Sequence, residues 1–246
     1  MSYPLKCKVV SVYNKKCVVQ YDGTLFSGWQ IQNGLRTVQG ELTTVLSKIY
    51  KHKISIYGAG RTDAKVHAEE QVFNFFSERY LENKHLQAGM NSLLSQDVAI
   101  ISAEDVPNDF HARKSAKMKT YTYRIFNSDI RSVFYANRAW WIKGKLDLPL
   151  LETYLKSYEG EKDFKKYSKD SKVYAHTIRT IYDIAVGEEK DFIVIKITAN
   201  GFLRRMARNI VGTAVRCFMK GKALVDLDKN ISTAPAHGLY LTHVQY

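Results

Sequence analysis

The sequence predicts an α+β fold made of two successive units, each a sheet with helices packed on one face. Three observations carry this. The first half reads strand, helix, strand, loop, strand, helix, strand, and a similar order recurs in the second half. Turn residues cluster between them at Pro107-Asn108-Asp109. The chain of 246 residues, 45% of them hydrophobic, can also fill the core of one large domain or two small ones.

Taken in order, Lys16-Cys17-Val18-Val19-Gln20-Tyr21 alternates as a strand does and is closed by Asp22-Gly23. Thr37 is placed to cap a helix whose apolar residues Val38, Leu42, Val45, Leu46 and Ile49 recur at helical spacing. A short strand, Ile54 to Tyr57, leads into a glycine loop, and Gln71 to Phe76 forms the next strand. Leu81 to Leu94 reads as helix and Val98 to Ala103 as extended. After the turn cluster, Lys119 to Phe126 alternates, Tyr135 to Ile142 is apolar and aromatic, and Leu148 to Tyr158 is helical. Strands follow at about Ala175 to Val186 and Phe192 to Ala199, then a helix from about Phe202 to Lys220, stopped by Gly221. Leu239 to Tyr246 ends the chain as an alternating strand. The expected division is a leader at 1–14, a first domain at 15–106 and a second at 107–246.

The net charge of +13, from 37 Lys and Arg against 24 Asp and Glu, points to nucleic acid, an anionic membrane face or acidic partners. No basic amphipathic helix stands out and no apolar run reaches spanning length, which argues against a membrane. Cys7, Cys17 and Cys217 are odd in number and scattered, so they outline neither a disulfide framework nor a zinc site. They fit a reducing cytoplasm, as does the absence of a secretory signal core. The seven histidines show no metal-ligand spacing, so no metal is expected.

The richest stretch is Gly58-Ala59-Gly60-Arg61-Thr62-Asp63-Ala64-Lys65-Val66-His67-Ala68. It sets one carboxylate, Asp63, among Arg61, Lys65 and His67 on a loop opened by two glycines. Cations around a carboxylate favour its ionised form, which suits a nucleophile or electrostatic stabiliser, and they also attract a polyanion. The glycines lack the spacing of a dinucleotide loop, and no G-K-[ST] marks a phosphate loop, so no organic cofactor is expected. Arg204, Arg205 and Arg208 would share about a third of a helix circumference. They are either a solvated basic face or a surface turned to a polyanion. In Lys117-Met118-Lys119-Thr120-Tyr121-Thr122-Tyr123-Arg124, a strand puts Tyr121 and Tyr123 on one face, as core tyrosines or as a platform for an unstacked base.

With these pieces in place, the chain resembles the bacterial tRNA pseudouridine synthase A family. Tyr21-Asp22-Gly23-Thr24 with Gly28-Trp29-Gln30 is similar to that family's opening, and Gly60-Arg61-Thr62-Asp63-Ala64 with Val66-His67-Ala68 to its catalytic motif. Phe110-His111-Ala112-Arg113 matches next, then Phe202-Leu203 with Met206 and Arg208-Asn209-Ile210-Val211-Gly212. Ala234-Pro235-Ala236 with Gly238-Leu239 completes the ordered set. The resemblance implies two ferredoxin-like halves with the active cleft between them, and a homodimer in which one tRNA contacts both subunits. It implies isomerisation of uridine to pseudouridine in the tRNA anticodon stem-loop, at positions 38 to 40, with neither metal nor organic cofactor. Asp63 then matches the catalytic aspartate, Arg61 the arginine that opens the stem, Tyr121 the tyrosine stacked on uracil, and Arg208 the partner of the aspartate. Arg204, Arg205, Lys65, His67 and Arg113 complete the expected RNA-contacting set.

The chain departs from the family at Lys65 and Glu70, both usually glycine, and in a short stretch between Gly221 and Ala234 where a helix is expected to be trimmed. If position 65 needs a positive φ, lysine there costs on the order of 1 kcal/mol. These changes keep a rival in view, a non-catalytic structured-RNA binder or RNA chaperone on the same scaffold. A small phosphate-ester hydrolase would need an arginine cradle with a metal or water-positioning group, and that spacing is not evident.

Overall fold

A computed structural model describes residues 11–221 and 230–246. Most of the expected leader and most of the stretch between Gly221 and Ala234 lie outside the described residues. The first half runs β1 (Tyr13–Tyr21), α1 (Val38–Tyr50), β2 (Ile56–Gly58), β3 (His67–Ser77), α2 (Asn83–Leu93) and β4 (Val98–Val106). In β1 the alternation buries Cys17, Val19 and Tyr21. Thr37 caps α1 by accepting from the Gly40 amide at 3.3 Å. Val38, Leu42, Val45, Leu46 and Tyr50 form the buried stripe of α1, while α2 turns Leu86 and Met90 inward.

The second half holds β5 (Met118–Asn127), β6 (Trp140–Ile142), α3 (Leu148–Lys156), β7 (Gly160–Asp163), β8 (Ile178–Glu189), β9 (Phe192–Ala199), α4 (Met206–Met219) and β10 (Leu239–Gln245). Asp147 caps α3, accepting from the Leu150 amide, and Pro149 occupies its first turn, where no intrahelical donor is needed. Met206, Ile210, Ala214 and Cys217 make the apolar stripe of α4.

The strands form a single sheet in the order β4-β1-β3-β10-β5-β9-β8-β7, with β2 on β3 and β6 on β5. Each half is a β-α-β-β-α-β unit whose four main strands lie in the spatial order fourth, first, third, second: β4-β1-β3-β2 and β10-β5-β9-β8. The halves meet where β10 pairs parallel to β3, Tyr240 beside His67 and Leu241 beside Ala68. The α+β expectation with ferredoxin-like halves therefore stands, with the sheets fused edge to edge. The crossover at 107–112 is fastened to the first half by side chains. Asn14 donates to the Pro107 and Phe110 carbonyls, and Asn74 accepts from the Ala112 amide.

Of the aromatic run ending at Ile142, the last three residues pair as a strand. Some boundaries read from the sequence move. The strand expected at about Ala175 to Val186 runs from Ile178 to Glu189 and is preceded by a short 3-10 turn at 171–173. The last helix starts at Met206 instead of Phe202, because Arg205 sits in the left-handed region with φ 66, which an α-helix cannot include.

Candidate active site

The Asp63 loop, between β2 and β3, is pinned by its neighbours before any ligand arrives. The Tyr21 and Thr62 hydroxyls are 2.8 Å apart in buried surroundings, and the Trp29 amide donates to the Thr62 carbonyl at 3.1 Å. Gln71 donates from Nε2 to the Gly60 carbonyl, and the Lys65 amide to that of Phe26. Trp29, packed against Tyr21 and Phe73, makes the floor. Lys65 takes φ 66, so the position does require the left-handed conformation that lysine adopts only at a cost. The constraint leaves the Asp63 side chain 22% exposed at the apex.

Arg208 reaches this carboxylate from the first turn of α4. Its Nη1 donates to Asp63 Oδ2 at 2.9 Å, and its Nε donates to the Ala234 carbonyl at the same distance. A guanidinium held at two points is fixed in direction as well as in position. Gly212 makes the second hold possible. A Cβ there would stand 2.4 Å from the Ala234 amide nitrogen and 2.5 Å from the Ser232 carbonyl oxygen, so only glycine lets segment 232–234 lie on the helix. Arg208 and Asp63 are 145 residues apart in sequence, and their bond spans the two halves.

Arg204 and Arg205 precede the helix, so the three arginines do not share one helical face. Arg204 places Nε 3.9 Å from Asp63 Oδ1 while its Nη1 pairs with Asp170 at 2.6 Å. The Nε of Arg205 is buried without a hydrogen-bond partner among the described residues, and its φ of 66 sets the turn that aims the next residues. Tyr121 lies on β5 at 8% exposure, its ring 4.8 Å from that of Phe202 in an edge-on contact. Burial pushes its phenol well above the usual range, and the nearby Tyr21 and Asp63 push the same way. The ring is therefore the packed tyrosine of the first sequence reading, and it sits close to the carboxylate.

Arg61 and Lys65 flank Asp63 and are exposed, and Arg113 is exposed on the turn before β5. His67 sits apart from this group. It is 2% exposed and stacked on Tyr240. Its Nδ1 accepts from the Gly23 amide, and its Nε2 faces the Asn137 and His237 carbonyls. Burial pushes its pKa down. Sequence reasoning assigned no role to Thr62, Trp29, Phe202 or Ala234. Residue type alone marks none of them as part of the site, and only their partners reveal what they do. Among the described residues no group of three or more His, Cys, Asp or Glu could hold a metal ion.

A sequence model of the family described as tRNA pseudouridine synthase matches residues 17–113 and 155–246. A protein named tRNA pseudouridine synthase A from Brachyspira hyodysenteriae is 41% identical over 239 residues, covering 92% of this chain and 96% of the relative. One of the same name from Anoxybacillus flavithermus is 38% identical over 242 residues, covering 94% and 98%. A chain of the solved structure "Structure of H/ACA RNP bound to a substrate RNA containing 2'-deoxyuridine" aligns with a TM-score of 0.43 and 12% identity, covering 93% of this chain and 47% of that one. The family match and the two full-length relatives agree, so the chain belongs to the tRNA pseudouridine synthase family and is an isomerase, a pseudouridine synthase.

Proposed function

We propose that this enzyme converts uridine to pseudouridine in the anticodon stem-loop of tRNA, at positions 38 to 40, with Asp63 as the nucleophile. The observation that supports this most is the Arg208–Asp63 hydrogen bond at 2.9 Å, beside the Tyr121 ring, on a loop already pinned by Tyr21, Trp29 and Gln71. The isomerisation breaks the ribose C1′–N1 bond, turns the uracil in place and forms C1′–C5, with the C5 proton leaving to water and N1 gaining one. One carboxylate aimed at the nucleotide, with a ring to hold the base, meets those needs without a cofactor. The target base must first leave its stack, which costs a few kcal/mol. Stacking on Tyr121 and cationic contacts from Arg61, Lys65, Arg204, Arg205 and Arg113 offset that cost. His67 supports the Asp22-Gly23 turn instead of touching the nucleotide. The 15–106 unit carries the nucleophile and the 107–246 unit carries Tyr121 and Arg208, in a cytoplasmic homodimer whose two subunits share one tRNA.

The test is tritium release from tRNA labelled at uridine C5. The wild-type chain is expected to release tritium to water, and Asp63→Ala to bind the same tRNA with no release. Release by Asp63→Ala near the wild-type rate would remove Asp63 from the chemistry. Tight binding with no release by the wild-type chain would favour the RNA chaperone.

A further inference from the structure

Lys119, on β5 two residues before Tyr121, directs its ammonium at the start of the Asp63 loop. Its Nζ donates to the Ala59 carbonyl at 2.6 Å and lies 3.8 Å from where a Cβ on Gly60 would stand. Lys119 faces Ala199 across the β5–β9 ladder, and two residues beyond Ala199 the Arg179 Nε comes within 3.6 Å of the Cβ site of Gly201. Arg113 is exposed on the turn before β5, and its charge acts on both Lys119 and Arg179.

Among the described residues none of these three cations pairs with a carboxylate. Arg36, Arg124, Arg138, Arg204 and Arg208, by contrast, each have one. Arg179 is confined to backbone carbonyls, His176 and the neighbourhood of Tyr174. Two guanidinium groups near a partly buried amine repel it and each other, and an anion is what relieves that repulsion. Burial lowers the Lys119 pKa to about 8, and the charges of Arg113 and Arg179 push it the same way.

Building on the RNA substrate proposed above, we propose that Lys119, Arg113 and Arg179 form a preorganised site for one backbone phosphodiester of the tRNA adjoining the target nucleotide. Gly60 keeps the loop bare beside the ammonium, so a phosphate can approach the Ala59-Gly60 backbone closely. Forked guanidinium groups suit phosphate oxygens, and an ammonium supplies a point charge at the base of the site. Filling the site would also seat the strand at the edge of the loop that carries Asp63.

The test compares wild type, Arg179→Gln, Arg113→Gln and Arg113→Gln/Arg179→Gln in binding to a tRNA stem-loop hairpin over a salt series. Each single variant is expected to bind about tenfold more weakly. The double variant should lower the slope of log affinity against log salt by about one phosphate's worth, roughly 0.7 to 0.9, instead of two. Hairpins in which one linkage at a time is a neutral methylphosphonate locate the contact. At one linkage beside the target uridine, neutralisation should weaken wild type about tenfold and leave Arg179→Gln unchanged. If no linkage silences the variant, or the variants keep wild-type affinity and slope, the site is refuted. Binding and C5 tritium release are read separately. Unchanged binding with normal release sinks this site and leaves the enzymatic reading standing, whereas absent release in wild type sinks that reading whatever the salt slopes show. Inorganic phosphate at millimolar concentration is expected not to compete, and competition by it would redirect the site to a free anion.

Discussion

Replacing Arg208 by methionine removes a guanidinium while keeping much of the aliphatic stem. At 2.9 Å the Coulomb attraction between Arg208 and Asp63 is about 6 kcal/mol with an effective dielectric near 20. Desolvation cancels much of that, because the two side chains are only 13% and 22% exposed. A charge-assisted hydrogen bond nets about 2 kcal/mol, and Arg208→Met also strips the Ala234 carbonyl of its Nε donor. For a chain of this size the loss corresponds to a fall in melting temperature of about 4 to 8 °C. Catalysis should suffer more, since a carboxylate freed to swing by about 1 Å can lose on the order of 100-fold in rate. The assay is urea unfolding of wild type, Arg208→Met, Asp63→Ala and the double variant, with single-turnover tritium release for wild type and Arg208→Met. A coupling energy of about 1 to 2 kcal/mol is expected from the stability cycle. Coupling below about 0.3 kcal/mol, together with Arg208→Met turnover within about twofold of wild type, would refute the pair as the device that aims Asp63.

Gly23→Ala sets a Cβ 2.1 Å from the Val66 carbonyl oxygen, a backbone atom at the exit of the Asp63 loop. Relief requires a shift of about 1 Å, so single-turnover rate should fall about 100-fold with a lowered melting temperature, and a wild-type profile would contradict the packing described. Lys119 titrates at about 8 in the folded chain, well below its ordinary 10.5, so the unfolded chain holds more protons between those values. Its share of stability is therefore most unfavourable below pH 8 and recovers as pH rises through the window, by about 3 kcal/mol in all. Lys119→Met should flatten that rise in urea melts taken at about pH 7.5 and pH 10, and an unchanged pH dependence would refute it. Tyr121 is held neutral by burial, so Tyr121→Phe should leave the shape of the rate–pH profile unaltered between about pH 6 and pH 9, even if the rate falls. A limb that disappears in the variant would mean the phenol titrates in that range.

Local periodicity located most of the secondary structure. The stripe Val38, Leu42, Val45, Leu46 lies on the first helix with Thr37 as its cap, and the third helix begins at Leu148 as read. The misplaced start of the last helix has a local cause that no hydrophobic pattern records. Arg205 is a good helix former by type, yet it takes φ 66 in the turn that brings the chain from β9 into α4. His67 shows the same limit at the site. Its position in a basic motif suggested contact with RNA, whereas the fold turns it inward onto Tyr240 and the Gly23 amide.

The residues by themselves determined the two-unit α+β plan, the basic character of the chain and the choice of Asp63 as the candidate acid. Those follow from residue type and short-range spacing, which a linear reading contains in full. The family resemblance already paired Arg208 with Asp63; only the tertiary structure decided how that contact is held and what surrounds it. Arg208 reaches Asp63 across 145 positions, Gly212 admits the Ala234 carbonyl that steadies it, and Lys119, Arg113 and Arg179 have no carboxylate partner among the described residues. Electrostatic energy depends on distance in space and on the water excluded between charges, and neither quantity exists until β10 pairs with β3 and draws the two halves into one sheet.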